Sequence, residues 1–164
     1  MADDTKSAIS TLNGLIETCK DGANGFRSAA DAVTRPDAKA LFTSRAPAID
    51  QAASELQAEV RRLGGDPETS GSVAASVHRG WINLKSAVTG KDEAAVITEC
   101  ERGEELAVKN YEDALKAGLP AESRAVVERQ YQGTVSNLAK VRALGQAYGA
   151  SAPTVAPTPQ ADQR

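Results

Sequence analysis

The feature that most constrains the fold is an apolar stripe at helical spacing, which recurs in four long stretches of the chain. In the first stretch the apolar positions follow spacings of three and four residues without a break, at Ile9, Leu12, Ile16, Cys19, Ala23, Phe26, Ala30 and Val33. This spacing places all of these side chains on one face of an α-helix. Four such faces must be buried against one another, which predicts a helical bundle.

The composition favours the same fold class. Aromatic residues make up only 4% of the 164 residues, whereas sandwiches and barrels are usually richer in aromatic and β-branched residues. The chain is rich in alanine, the strongest helix former. Its length is typical of one domain with one hydrophobic core. We therefore expect a single all-α domain.

Charge and hydropathy limit the classes of partner. The net charge is −3 and the pI is about 5.3, which argues against nucleic acid because phosphate binding needs clustered Lys and Arg. No apolar run approaches the roughly 20 residues that a membrane-spanning helix needs, and the start MADDTKSA lacks the features of a signal peptide. Cys19 and Cys100 are isolated on apolar stripes and read as small buried hydrophobic residues. We expect a cytoplasmic protein that binds neither nucleic acid nor membrane.

The connections between helices predict the topology. Helices are expected at about 5–33, 38–63, 91–117 and from Ala121 onward, with turn signals between them. Pro47 should kink the second helix or end a short first segment of it. A long crossover, 68–90, separates two helical hairpins and carries its own short helix at Ser72–Val88.

Two αα-hairpins joined by one long crossover are the arrangement of ferritin-like four-helix bundles. We therefore expect an all-α, ferritin-like bundle over residues 1–148. The remaining residues, 149–164, are rich in Pro, Ala and Thr and have little to bury, so they are predicted to form a disordered tail.

Three motifs, GGDPETSGS, HRGW and ECERGEE, carry a resemblance to a known family. Together with LNGLIETCKDGANGFRSAADAV and LPAESRAVVERQYQ, they make the chain from Ser7 to Leu144 resemble a bacterial family of four-helix-bundle proteins of unknown function in the ferritin-like superfamily. The resemblance implies the bundle fold and an association with bacterial stress responses. It implies no particular activity.

Glutamates on each long helix raise the possibility of a di-metal site. Ferritin-like di-iron proteins combine a Glu from each of two helices with a Glu-x-x-His from each of the other two. Here the candidate ligands are Glu17, Glu55, Glu59, Glu104 and Glu128. The chain contains no Glu-x-x-His, and its single histidine, His78, lies in the crossover. We expect no cofactor, with iron or manganese bound at one height of the bundle as the alternative.

Polar residues on the predicted stripes have a second interpretation, which we favour. Arg45, Glu59, Glu104 and Tyr131 fall on these stripes, and buried polar groups need partners. Arg45 is predicted to pair with a glutamate of another helix, since guanidinium and carboxylate groups match in geometry. These residues then form a structural polar core.

The crossover carries an anchor candidate in His78, Arg79 and Trp81. Trp81 is expected to attach the crossover to the bundle, while His78 and Arg79 could instead border a small pocket. A catalytic histidine needs an orienting acid or a nucleophile nearby, and the sequence shows none. The anchoring role is therefore the main expectation.

The sequence thus favours a non-catalytic protein with a structural or interaction role. Homo-oligomerisation is expected, and the protein partner is not identified. The first alternative is a metal-binding bundle protein. The second is a partner-binding module that uses the tail or an exposed helix face.

Overall fold

The chain folds into five helices over the part that the computed structural model describes, which comprises residues 2–69, 81 and 83–151. The helices are α1 (Ala2–Ala32), α2 (Pro36–Arg62), α3 (Leu84–Thr89), α4 (Glu93–Lys116) and α5 (Ala121–Ser151). Every element in this part is a helix, so the predicted all-α class is confirmed. None of these helices is both long and apolar enough to cross a lipid bilayer.

The four long helices form a bundle of two antiparallel hairpins. α1 packs against α2 and α4, and α5 packs against α4 and α2. Cys19 in the middle of α1 contacts Tyr111 near the end of α4, whereas Thr34, just after α1, contacts Glu93 at the start of α4. α1 and α4 are therefore antiparallel. α2 and α4 therefore run parallel at diagonally opposite corners, and the connection between them must return along the bundle.

The predicted apolar stripe of α1 forms much of the core. Leu12, Ile16 and Phe26 are fully buried, while Ile9 is partly buried at the edge. Phe26 packs against Phe42 of α2 with their ring centroids 5.6 Å apart. This contact holds the first hairpin together near the turn that joins its two helices.

The start of α1, the end of α5 and the course of α2 differ from the predictions. α1 begins at Ala2 instead of near Thr5, and α5 continues to Ser151, beyond the predicted domain end at residue 148. α2 runs unbroken through Pro47. Of the two predicted alternatives at Pro47, a kink or a short first segment, the second is therefore excluded. Pro47 and Thr43 are both exposed, so water can bond the Thr43 carbonyl that lacks an N–H partner. The predicted tail from residue 152 onward lies outside the described residues.

The crossover helix is short where the structure describes it. Residues 70–80 and 82, which include most of the predicted helix Ser72–Val88, lie outside the described part. The helix found there is α3, which packs against α4 and α1. Asp92 then caps α4, since its carboxylate accepts a hydrogen bond from the Ala95 N–H at 3.0 Å.

Trp81 lies between α1 and α4, in a slot formed by two glycines. The indole is only 8% exposed, and it meets Phe26 edge to face with the ring centroids 5.1 Å apart. A Cβ atom placed on Gly25 or Gly103 would lie 2.5 or 2.3 Å from the indole ring. Both positions therefore require glycine while Trp81 is in place. The indole joins the crossover to both hairpins.

We expect Gly103→Ala to lower the free energy of unfolding by about 1–3 kcal/mol, because the new methyl group overpacks against the Trp81 indole. Gly133→Ala is the matched control in α5. Its Cβ would have nothing within 4 Å, so it should stabilise by up to about 1 kcal/mol through helix propensity. Urea unfolding followed by circular dichroism measures both changes. Equal effects would contradict the packing of Trp81 against Gly103.

Candidate functional site

A cavity of about 820 Å³ lies between the two hairpins and is lined by all four long helices and Trp81. Much of its wall is small or apolar, with side chains such as Ile49, Ala52 and Ala114. Exposed residues at its edge, among them Gly14 and Gly133, mark where it meets solvent. Since buried polar groups of several helices also line it, this cavity is the candidate site.

An ion pair spans the bundle interior from α2 to α4. Arg45 Nε donates a hydrogen bond to Glu104 Oε2 at 3.1 Å, and the Arg45 and Glu104 side chains are 15% and 3% exposed. Asn137 of α5 donates to the same carboxylate oxygen, and Arg45 Nη2 lies 3.5 Å from Thr134 Oγ1. A buried charge without its partner is strongly destabilising. The pair therefore ties two diagonal helices and α5 into one polar layer.

The protonation of Glu104 depends on two opposing effects. Burial raises the pKa of the Glu104 carboxyl, while the charge of Arg45 and the hydrogen bonds from Asn137 and Arg45 lower it. The burial effect is the larger, so the pKa is above its ordinary value. The folded chain therefore holds a proton on Glu104 to a higher pH than the unfolded chain does.

A second polar chain connects all four long helices. Cys19 Sγ lies 3.4 Å from Tyr111 Oη, and the Tyr111 hydroxyl donates to Gln130 Oε1 at 2.8 Å. Gln130 Nε2 donates in turn to the Ala52 carbonyl at 3.1 Å and to Glu55 at 3.2 Å. Because the single Tyr111 proton goes to Gln130, the Cys19 thiol is the donor in the first contact. Burial raises the pKa of Cys19 to about 11, so this thiol is neutral at physiological pH.

The metal-ligand candidates do not converge as the di-metal prediction requires. Glu104 contacts Arg45, Glu55 pairs with Arg129 of α5, and Glu59 pairs with Arg62 at 2.8 Å. Glu17 is half-buried on the rim of the cavity, and Glu128 is exposed. Within the described residues, no three His, Cys, Asp or Glu side chains are grouped so that they could hold a metal ion. The convergence at one height of the bundle, which the di-metal alternative requires, is not found among the described residues.

Tyr131 does not belong to the polar core, which corrects the sequence prediction. It is half-buried, and its hydroxyl donates to exposed Glu112 at 3.0 Å. Gln130 and Tyr131 both lie three or four residues from Val127 and Thr134, so the spacing allows either one on the stripe. In the structure, the side chain of Gln130 faces the interior. Gln130 is 7% exposed and holds the interior position instead.

Glu59 forms a separate cluster near the start of α5. It accepts a hydrogen bond from Ser123 at 2.9 Å, and the hydrogen bond from Arg62 is the main reason that the pKa of Glu59 is lowered. About three helical turns of α5 separate Ser123 from Thr134, the residue next to Arg45. Glu59 is therefore a partly buried pair at the end of the bundle and not a neighbour of Glu104.

Of the predicted crossover anchor, Trp81 lines the cavity, while His78 and Arg79 lie outside the described residues. Glu99 is a further buried acid that no sequence pattern predicted, and it is 3% exposed. Its carboxylate accepts hydrogen bonds from the Asn83 backbone N–H at 3.1 Å and from Arg102 at 3.0 Å. Glu99 thus fastens the start of α3 to α4.

Gln130 and Asn137 were also missed as interior residues. A signal was present, because Val127, Gln130, Thr134, Asn137 and Val141 alternate spacings of three and four residues. An amide side chain at such a position predicts a buried hydrogen-bonding layer, just as a carboxylate does.

Arg45→Met should lower the free energy of unfolding by about 3 kcal/mol, because Glu104 stays buried without its cation. The double variant Arg45→Met/Glu104→Met should recover most of this loss, since it replaces the pair by apolar groups of similar length. Urea unfolding of both variants and of the wild type measures the difference. A double variant less stable than the single one would contradict this account of the pair.

Glu104 should make the protein less stable as the pH rises. Its stabilising contribution is complete below the ordinary pKa of 4.5 and is lost as the pH rises through the raised folded-state pKa. The free energy of unfolding of the wild type minus that of Glu104→Gln should therefore decrease as the pH rises above the ordinary pKa of 4.5. Urea unfolding at a series of pH values measures this difference. An increase would show that the ion pair with Arg45 outweighs burial.

Comparison with known proteins identifies the family. No curated protein matches the chain. One family model, described as a domain of unknown function (DUF2383), matches residues 7–117, which extend from α1 through α4. This match covers well over half of the chain. The chain therefore belongs to the DUF2383 family of domains of unknown function.

Proposed function

We propose that this protein is non-catalytic and acts by binding, in a structural or interaction role. The observation that carries the proposal is that the buried carboxylate at the cavity, Glu104, is bound by Arg45 and Asn137. A di-metal carboxylate site needs several interior glutamates free to coordinate the ions. Here an internal cation takes the place that a metal ion would need.

The chemistry of the cavity also favours binding over catalysis. A nucleophilic cysteine needs a lowered pKa or an adjacent base. Cys19 has a pKa of about 11, and its partner is the Tyr111 hydroxyl, whose own pKa is raised by burial. Neither group is charged at physiological pH, which supports a role in positioning and packing.

We also propose that the bundle belongs to the ferritin-like superfamily. The support is its connectivity: two antiparallel hairpins with α2 parallel to α4, a pattern that requires one long connection. The sequence resemblance supports a bacterial protein with a part in stress responses, and the two isolated cysteines support a cytoplasmic one. Homo-oligomerisation is part of the same proposal, since bundles of this kind often self-associate.

Metal content tests the proposal directly. The untagged protein, purified without chelator and then loaded with Fe(II) or Mn(II), should retain less than one equivalent of metal by elemental analysis. Glu104→Ala should retain the same amount, and Glu128→Ala serves as the control for weak binding at an exposed carboxylate. About two equivalents that are retained by the wild type and lost in Glu104→Ala would overturn the proposal in favour of a di-metal protein.

A further inference from the structure

We infer that the cavity between the hairpins binds an uncharged amphipathic small molecule whose acceptor oxygen, such as a ketone carbonyl, hydrogen-bonds to Arg45. This inference names the ligand class of the binding role proposed above and rests on that role. Three observations carry it: spare donors on Arg45, the apolar walls, and the charges that surround the guanidinium.

The spare donors belong to the Arg45 guanidinium, which has five N–H groups. Nε bonds Glu104, and Nη2 reaches Thr134 at the long distance of 3.5 Å. Nη1 has no hydrogen-bond partner among the residues that the structure describes. Because Arg45 lines the cavity, its unused donors are available to a molecule there. An acceptor oxygen would supply the hydrogen bond that the protein leaves unmade.

The walls of the cavity suit an apolar body. Leu15, Ile49, Ala107 and Ala114 line it together with the Trp81 indole. Its volume of about 820 Å³ falls in the range of about 300–1,000 Å³ that is typical of small-molecule sites. Such sites combine apolar walls with well-placed polar groups, and here polar and charged side chains from all four long helices share the lining with these apolar groups.

The surrounding charges select against an ionic ligand. An anion at Arg45 would lie beside the Glu104 carboxylate, which is 3.1 Å from the same guanidinium. The rim adds further acids, and the charges of Glu68 and Asp21 join burial in raising the pKa of Glu17. A cation would meet the positive charge of Arg45 and would lose its hydration on entry. An uncharged molecule avoids both costs.

A fluorescent ketone tests the inference. The probe is 6-propionyl-2-dimethylaminonaphthalene, an uncharged naphthyl ketone whose emission shifts to the blue in apolar surroundings. Titrated into the full chain, it should bind saturably with a blue shift and should receive energy from Trp81, the only tryptophan. The analogue with a propyl group in place of the propionyl group should bind about tenfold more weakly, because it lacks the hydrogen bond to a charged donor.

Two variants locate the bound probe. Ala107→Leu places a larger side chain in the cavity and should weaken probe binding by about tenfold or more. Ala94→Leu is the matched control, since Ala94 is an exposed residue of α4 outside the cavity lining. In Arg45→Met/Glu104→Met the ketone and its propyl analogue should bind equally well, because the donor is gone while the apolar walls remain. Circular dichroism checks that each variant is folded.

The inference fails if the ketone does not bind saturably, or if Ala107→Leu binds it as well as Ala94→Leu does. It also fails if the ketone keeps its advantage in the double variant, or if the anionic dye 1-anilinonaphthalene-8-sulfonate competes equally for the site. Failure here is distinct from failure of the proposed function. A metal-free protein that ignores the ketone overturns only this inference, whereas stoichiometric iron lost in Glu104→Ala overturns the binding role itself.

Discussion

The arrangement of this bundle depends on one buried ion pair, between Arg45 and Glu104. It joins helices at opposite corners, which share no direct packing face, and so it must pass through the interior where solvation is poor. Removing either partner leaves a charge that the interior cannot accommodate. The amide of Asn137 and the hydroxyl of Thr134 are placed around this pair, and the cavity lies beside it.

The same pair supports the proposal that this bundle does not hold a di-metal site. Carboxylates that coordinate iron or manganese are held close together by the ion, and without it their mutual repulsion raises their pKa values. Here the interior acid faces a guanidinium, while the other candidate glutamates are dispersed to the rim, the end and the surface of the bundle. The interior acid is therefore balanced by a positive charge of the chain itself.

Much of the fold could be predicted from sequence, and less of the site. The apolar stripe correctly predicted the buried face of α1. Spacings of three and four residues place side chains on one face of a helix, whatever packs against that face. The pairing of Arg45 with an acid followed from the cost of burying it. The choice of Glu104, and of Gln130 over Tyr131, could not be predicted, because a rotation of α5 by one residue depends on packing against two other helices. The extent of the cavity likewise depends on the distance between hairpins, which no local pattern encodes.

The position of the Trp81 indole bears on how the two hairpins come together during folding. Its slot between Gly25 and Gly103 does not exist in either hairpin alone, because one glycine belongs to α1 and the other to α4. Each hairpin can form from contacts that are local in sequence, whereas the slot closes only when the two hairpins meet, a step with a larger loss of chain entropy. The fluorescence of the single tryptophan therefore reports on the docking of the two hairpins, which the helical signal does not register.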